Sequence, residues 1–304
     1  MNALAHLRFE PSPAPRAFDA LVRAVFAPRP RDSHKGTFGR AALLCGSPAY
    51  PGAALLAAEA ALRAGAGLTE LHTPAVAAAA ARVRLPELLV RELPPVTEDP
   101  GAADALFARR DVTALLVGCG LGRGTAEDGL RASLLAAMAA PGGPLILDAD
   151  ALNILAADRP AFSAGCRAAA RPVVLTPHPL EFSRLSGLPV ETIQAARRTR
   201  AAAFAQENRV VLLLKGAGTV LAAPDGRVAV LPTGSPALAK GGSGDVLAGF
   251  LAGLCAMGVP AYEAACSAAY LHGRAGERLA ARYTECGVLP SALPAAMAKV
   301  AASL

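Results

Sequence analysis

A glycine-rich segment in the last quarter of the chain carries the clearest chemical signal. The segment Gly241–Asp245 reads GGSGD and stands directly before an apolar run over 246–257. Glycines let a ligand approach the backbone closely, and a helix that starts here would present free N–H groups to an anion. Asp245 could be a helix cap, or a carboxylate that takes a proton from a hydroxyl beside a bound phosphate. We favour the second interpretation, because a cap alone does not require three preceding glycines.

Four further loops with polar or glycine-rich residues each follow a short apolar run. They are 118–124, 148–153, 176–181 and 215–219. If the runs are parallel strands, their carboxyl ends meet at one edge, where α/β sheets bind ligands. Lys215 could neutralise phosphate charge there, His178 could contact a substrate, and Glu181 could organise a metal-bound water. The carboxylates of Asp148 and Asp150 could cap the next helix or face the same site. Each loop alone could be a polar turn without a ligand, but the four together favour one site.

Several familiar nucleotide and hydrolase motifs do not occur. A P-loop ends in Gly-Lys-Ser or Gly-Lys-Thr, and the chain has neither tripeptide. The glycines of 118–124 resemble a dinucleotide fingerprint, but Arg123 breaks its spacing. A nucleophile elbow would need glycine where Asp245 follows Gly244. These absences leave the phosphate-binding interpretation of Gly241–Asp245 without a competing motif.

The elements that must hold these loops alternate along the chain. Short unalternated apolar runs predict strands buried on both faces, at 41–45, 68–72, 114–117, 145–147, 173–175 and 210–214. Alanine-rich segments of helix length, such as 53–64 and 126–139, separate most of them. The alternation predicts an α/β fold with a mainly parallel sheet and helices on both faces.

The two ends of the chain and the segment before Gly241 differ from this alternation. Two β-like runs around the turn residues 224–226 predict a hairpin over 219–231, and the chain after Gly244 is predicted to be helical to its end. Residues 1–33 are predicted to be an N-terminal extension with one short helix near 18–26. Residues 34–304 are predicted to form one domain.

Composition excludes several classes of protein. Of the 304 residues, 53% are hydrophobic and 18% charged, which is too apolar for a disordered chain. The net charge of +6 is not gathered into a basic stripe with aromatics, so we expect no nucleic-acid partner. The uncharged stretches 41–58 and 246–262 are too short or too rich in glycine and proline to span a membrane. The six cysteines lack zinc-site spacing, so we expect reduced, buried thiols in a cytoplasmic protein.

The ordered set of motifs resembles the ADP/ATP-dependent NAD(P)H-hydrate dehydratase family, which has the ribokinase-like fold. The matching segments are HKGTFGR (34–40), the loop 46–53, GCGLGR (118–123), LDADALN (147–153), TPHPLE (176–181), LKGAGT (214–219) and KGGSGD (240–245). The resemblance covers about residues 34–300 and implies a three-layer αβα sandwich. The family's usual fused epimerase domain is expected to be missing, because too few residues precede His34, so only the dehydratase activity is expected.

The resemblance implies repair of a damaged cofactor. The substrate would be the S-epimer of hydrated NADH or NADPH. ADP, or ATP, would phosphorylate the ring hydroxyl, and elimination of phosphate would then give NAD(P)H, with AMP as the second product from ADP. The resemblance also implies Mg²⁺, a homotetramer and cooperation with a separate NAD(P)H-hydrate epimerase.

The family's site residues can be carried onto matching positions of this chain. Asp245 would be the catalytic base and would touch the substrate, together with Ala53, Gly120 and His178. The nucleotide would be bound by Lys215, Gly216, Ala217, Gly218 and Thr219 and by the backbone of Gly242, Ser243 and Gly244. Glu181 would organise Mg²⁺ and phosphate through water. Leu180, Cys119 and Lys240 stand where the family commonly has Gly, Pro and Thr, and the charge of Lys240 is expected to bear on nucleotide preference.

Two other functions remain open at the level of sequence. A vitamin or sugar kinase of the same fold would need the same anion pocket and the same Asp245, but it would leave a stable phosphorylated product. A nucleotide-sensing module would bind nucleotide without turnover. The nature of the products therefore separates the three functions.

Overall fold

A nine-stranded sheet organises the chain. The computed structural model describes residues 4–9 and 14–304, so part of the predicted extension over 1–33 lies outside the described residues. The strand order is β3-β2-β1-β4-β5-β6-β7-β8-β9. The strands are β1 (Arg40–Leu44), β2 (Leu68–Thr73), β3 (Leu89–Glu92), β4 (Ala114–Val117), β5 (Leu145–Leu147), β6 (Val173–Leu175), β7 (Val211–Leu214), β8 (Val220–Ala222) and β9 (Val228–Val230). Neighbours from β3 to β7 pair in parallel, and β8 and β9 pair antiparallel.

Helices cover both faces of this sheet. They are α1 (Pro15–Val25), α2 (Pro51–Ala64), α3 (Ala75–Arg84), α4 (Asp104–Phe107), α5 (Glu127–Ala139), α6 (Asp150–Ala156), α7 (Arg159–Arg167), α8 (Pro179–Ser186), α9 (Val190–Ala195), α10 (Arg197–Asn208), α11 (Ser243–Ala256), α12 (Ala261–Gly287) and α13 (Leu293–Ala302). Alternate residues of β1 enter different cores: Ala41 and Leu43 join α2 and α11, whereas Ala42 and Leu44 join α5 and α6. The three layers of the ribokinase-like fold follow from this two-sided burial.

Small residues bring α2 and α11 into close contact. A Cβ on Gly249 would lie 2.1 Å from the Ala57 carbonyl oxygen, and one on Gly253 would lie 2.6 Å from that of Ala61. Only glycine lets the two backbones approach so closely. This packing places the start of α11, with Asp245, beside the start of α2, with Ala53.

Most predicted elements are confirmed. The six predicted strands and the hairpin are present; three strands have the predicted ends, and the other ends are shifted by at most one residue. The helix expected near 18–26 is α1. Strand β3 was missed because its residues Leu89–Glu92 are exposed or half-exposed at the sheet edge and lack an apolar run. Among the described residues, no helix is both long enough and apolar enough to cross a membrane. All six cysteines are free thiols; five are buried as expected, and Cys286 is exposed.

Candidate active site

The loops after β5, β6 and β7 meet at the ammonium group of Lys215. Its Nζ donates to Asp148 Oδ1 at 2.7 Å and lies 3.9 Å from Glu181 Oε2. A Cβ on Gly244 would lie 3.3 Å from the same Nζ, so the glycine-rich segment adjoins these loops. Burial opposes the charge on Lys215, but the carboxylates of Asp148 and Glu181 outweigh it and raise the lysine pKa. The parallel sheet thus brings four separated motifs to one place.

The turn after β5 holds its two carboxylates with a strained backbone. Ala149, between Asp148 and Asp150, has a φ of +49°. Such conformations cost an L residue about 1–3 kcal/mol and cluster at functional sites. Gly118 packs against the turn, where a Cβ would lie 1.8 Å from the Asp148 carbonyl oxygen. Asp150 Oδ2 accepts from the Gly122 N–H at 2.8 Å, which fixes the loop after β4 to the same turn.

Asp245 lies in a cleft of about 620 Å³ between the starts of α2, α6 and α11. Ala53 and Gly120 line the same cleft, so three of the four predicted substrate contacts are brought together there. Burial, and then the negative charge of Asp148, raise the pKa of Asp245 to about 6. A carboxylate with this pKa is ionised at neutral pH and close to the optimum for accepting a proton.

Asp245 does not act as a helix cap in the described part of the chain. No backbone N–H of those residues donates to its carboxylate, although the residue stands in the first turn of α11. Its oxygens instead share a cluster with Asp148 and the Cys119 thiol, in which the three potential ligand atoms lie within 4.8 Å of one another. The Cys119 thiol is a weak hydrogen-bond donor to this carboxylate, so the residue is held in the cleft without serving as a helix cap.

The start of α11 offers free hydrogen-bond donors. Within residues 4–9 and 14–304, the N–H groups of Gly242, Gly244 and Asp245 have no acceptor, whereas the Ser243 N–H donates to the Lys240 carbonyl at 3.1 Å. The Ser243 N–H thus has an acceptor within the protein, and its predicted contact with the nucleotide stays a prediction. Gly242 has a φ of +101°, and a Cβ there would lie 2.6 Å from Leu56 Cδ1. Free first-turn N–H groups with a positive helix end form an anion-binding feature.

The Ser243 side chain has a partner that sequence reasoning missed. Ser243 Oγ lies 3.1 Å from His272 Nε2, and both side chains are buried. His272 comes from the middle of α12, far from any motif in sequence. Burial lowers the pKa of His272 to about 4, so the ring is neutral at pH 7. The sequence signal was limited to a lone histidine in a long helical segment.

His178 and Glu181 form a reciprocal cap at the start of α8. His178 Nδ1 accepts from the N–H groups of Leu180 and Glu181, and Glu181 Oε2 accepts from the His178 N–H at 2.8 Å. Burial, and then the charge of Lys215, lower the pKa of His178, while burial raises that of Glu181 to about 6. The predicted contact of His178 with substrate stays a prediction, since His178 does not line the cleft that holds Asp245.

The predicted metal role of Glu181 can be tested against its hydrogen bonds. Both of its oxygens face His178, with Oε1 lying 3.2 Å from the ring Nε2. Direct ligation would disrupt the cap, whereas contact through a water would not, and Mg²⁺ commonly keeps several waters. The Cys119 thiol suits Mg²⁺ poorly, because contact with Cys45 and burial raise its pKa well above the usual value. The oxygen ligands present therefore fit a largely hydrated Mg²⁺.

The predicted nucleotide loop over 215–219 is held by hydrogen bonds from Arg197, a residue that the sequence did not indicate. Arg197 donates to the carbonyls of Leu214 and Lys215 at 2.9 and 3.1 Å. Thr219 Oγ1 closes the turn by donating to the Gly216 carbonyl at 3.0 Å. The loop is thus held in a fixed shape at the end of β7, beside Asp148.

Lys240, the unusual residue before the glycines, is engaged within the protein. Its Nζ donates to the carbonyls of Cys286 and Val288, the latter at 2.7 Å. It ties the end of α12 to the segment that leads into α11. Its expected effect on nucleotide preference stays a prediction.

The chain is similar to known proteins over most of its length. Residues 41–299 match the family model described as NAD(P)H-hydrate dehydratase. An ADP-dependent (S)-NAD(P)H-hydrate dehydratase from Neisseria meningitidis is 41% identical over 255 residues, which cover 83% of this chain and 81% of the relative. The crystal structure of the ADP/ATP-dependent NAD(P)H-hydrate dehydratase from Bacillus subtilis, co-crystallised with ATP and Mg²⁺, is 32% identical with a TM-score of 0.79, covering 97% of this chain and 98% of that one.

Some relatives are longer. A bifunctional NAD(P)H-hydrate repair enzyme from Moorella thermoacetica is 42% identical over 268 residues, which cover 86% of this chain but 49% of the relative. The chain therefore spans about half the length of this bifunctional relative.

Proposed function

The chain belongs to the NAD(P)H-hydrate dehydratase family, and on that premise we propose that it restores hydrated NADH or NADPH with ADP as the phosphoryl donor. The substrate is the S-epimer, and the products are NAD(P)H, AMP and phosphate. The observation that carries the proposal is the Asp245 carboxylate, which lies in a cleft beside free N–H donors and has a pKa of about 6. A base next to an anion site is the arrangement that phosphoryl transfer to a hydroxyl requires.

The first step forms a bond between the ring hydroxyl oxygen and the β-phosphorus of ADP. The bond from that phosphorus to the bridging oxygen breaks, and AMP leaves. Asp245 takes the hydroxyl proton. The N–H groups of Gly242 and Gly244 and the ammonium of Lys215 stabilise the charge on the moving phosphoryl group, which is commonly the largest catalytic contribution. Lys215 is well suited to this role because Asp148 and Glu181 keep it charged.

The second step releases the phosphate. The lone pair of the ring nitrogen expels it by breaking the carbon–oxygen bond, and the neighbouring carbon then loses a proton to the released phosphate. The ring double bond is thereby restored. In this step the cleft holds the substrate in place and adds no further reacting group. Ala53 and Gly120 line it beside Asp245 and leave room for the substrate, because neither has a side chain that would fill the cleft.

Mg²⁺ belongs to the proposal as a partner of the nucleotide. When bound, it neutralises charge on the phosphate oxygens. Glu181 would hold it through water, because the two oxygens of Glu181 are engaged by His178. The co-crystallisation of the Bacillus subtilis relative with ATP and Mg²⁺ supports this assignment.

The wider setting of the enzyme is part of the same proposal. A separate epimerase would supply the S-epimer, as the bifunctional relatives suggest by their two-activity name. We further propose a cytoplasmic homotetramer, in which Ala-rich helices offer faces for contact between copies.

The test is incubation of the purified chain with the S-epimer of hydrated NADH and ADP. Recovery of the reduced-nicotinamide absorbance with one AMP and one phosphate per turnover supports the proposal. A stable phosphorylated product would instead identify a kinase, and nucleotide binding without turnover would identify a sensing module. ATP in place of ADP, and the R-epimer in place of the S-epimer, test the donor and the stereochemistry.

A further inference from the structure

The buried pair Ser243–His272 adjoins the N–H groups of Gly242 and Gly244 that are proposed to bind phosphate, a site called here the phosphate cradle. The pair has no role in the steps above. Ser243 is the first residue of α11, between two glycines whose N–H groups have no acceptor in the described chain. Its own N–H is occupied by the Lys240 carbonyl at 3.1 Å. Any contribution of Ser243 to anion binding must therefore come from its hydroxyl, and His272 Nε2 is the group that touches that hydroxyl, at 3.1 Å.

A serine hydroxyl has one proton to donate and can rotate. If that proton pointed at His272, only lone pairs would face the cradle, and they would repel a phosphate oxygen. If instead a ring N–H donates to Ser243 Oγ, the hydroxyl proton is left for a ligand. The geometry of the pair allows both arrangements, so the tautomer of His272 decides what Ser243 can do.

The surroundings favour the ring N–H as the donor. The backbone carbonyl of Ser243 can only accept a hydrogen bond, so it also favours an N–H on the facing side of the His272 ring. Burial and the charge of Lys215 lower the pKa of His272 and keep the ring neutral. A doubly protonated ring would add a second cation beside Lys215, which already carries the charge at this site. One N–H directed at Ser243 is the state that satisfies these partners.

We propose that His272 is a positioning residue, which donates its Nε2–H to Ser243 Oγ and so directs the Ser243 hydroxyl proton toward the phosphoryl group held at the start of α11. This inference rests on the proposed function and deepens it. The phosphoryl group gains charge on its oxygens as it moves, so the directed hydroxyl acts more strongly in the transition state than on bound ADP. The loss should appear in kcat rather than in the KM for ADP.

A double-mutant cycle with a rescue tests this role. Ser243→Ala and His272→Leu should each lower kcat by ~10²-fold, the usual effect of losing one such donor, with KM for ADP changed by less than about threefold. The double variant should be no worse than either single variant by more than about threefold, since both remove the same hydrogen bond. His272→Gln places an amide N–H near the position of Nε2 and should recover most of the activity.

The control is Ser267→Ala, which removes a buried hydroxyl from the same helix that has no partner among the described residues. It should leave kcat unchanged. Losses that multiply in the double variant, or a folded His272→Gln protein as slow as His272→Leu, would overturn the role of His272. If His272→Leu does not fold, His272→Ala takes its place in the cycle, with the same supporting and overturning results. A wild type without turnover overturns the proposed function instead, so the two failures are distinct.

Discussion

Two halves of the candidate site satisfy their polar groups in different ways. At the strand ends, Lys215 pairs with Asp148, and His178 and Glu181 cap each other, so these charges have partners within the protein. Beside the cleft, the N–H groups of Gly242, Gly244 and Asp245 have no acceptor in the described chain, and the Asp245 carboxylate is hydrogen-bonded by the weakly donating Cys119 thiol rather than by a cation. The first half is organised before a ligand arrives, and the second half is left open for one. The difference indicates where chemistry occurs and where structure is held.

The largest effect is expected in the open half. Asp245→Asn keeps the shape of the side chain but cannot accept the hydroxyl proton, so kcat should fall by ~10²–10⁴-fold. Affinity for ADP, measured by calorimetry, should change little, because the N–H donors remain. Asp225→Asn, on the exposed turn of the hairpin, is the matched control and should keep full activity. An unchanged kcat in Asp245→Asn would falsify the assigned role.

The next effect concerns the paired half. Lys215→Met leaves the Asp148 carboxylate buried without its cation, and breaking such a pair commonly costs 3–5 kcal/mol. Because the Lys215 side chain keeps 19% of its surface exposed, we expect a loss of about 2–4 kcal/mol in the free energy of unfolding, measured by urea denaturation.

A second variant shows whether this cost arises from the pair. Adding Asp148→Asn to Lys215→Met should recover more than half of the loss, because no charge is then left buried alone. Equal stability of the single and double variants would show that Asp148 is not the partner that matters.

Ionisation of Asp245, in the open half, should lower the free energy of unfolding as the pH rises. The folded-state pKa of Asp245 is raised to about 6 from the ordinary value of 3.8, so its contribution to stability is fully present below pH 3.8 and is lost as the pH rises through 6. The shift corresponds to about 3 kcal/mol, and attraction of the charge to the helix start offsets ~0.3–1 kcal/mol. Asp245→Asn should therefore be more stable than the wild type by about 2–2.7 kcal/mol at pH 8, with no gain at pH 3.5. Urea unfolding at the two pH values measures this, and an equal gain at both would exclude ionisation of Asp245 as the cause.

The contrast between the halves also explains what the sequence could predict. Runs such as Val173–Leu175 are apolar throughout because both faces are buried, and so the parallel sheet and the loops at its carboxyl edge could be predicted. The motifs placed Asp245 and Lys215 at that edge. His272 and Arg197 could not be found this way, because each acts across the fold from a helix whose local pattern gives no sign of it. The occupied N–H of Ser243 depends on one loop conformation, which spacing does not reveal.

The smallest effect is expected at His178, where two variants distinguish a role in capping α8 from contact with the substrate. His178→Ala removes the acceptor for two N–H groups at the start of α8 and should cost ~1 kcal/mol of stability, whereas His178→Asn keeps an accepting side chain and should cost less. Asp158→Ala removes the cap of α7, where Asp158 accepts from the Ala161 N–H at 3.0 Å, away from the cleft. It should lose a similar amount of stability with unchanged kinetics. If His178 also contacts the hydrate, His178→Asn will raise the KM for that substrate while the thermal unfolding temperature stays near that of the wild type. If both His178 variants keep the wild-type KM, His178 caps α8 and does not contact the substrate.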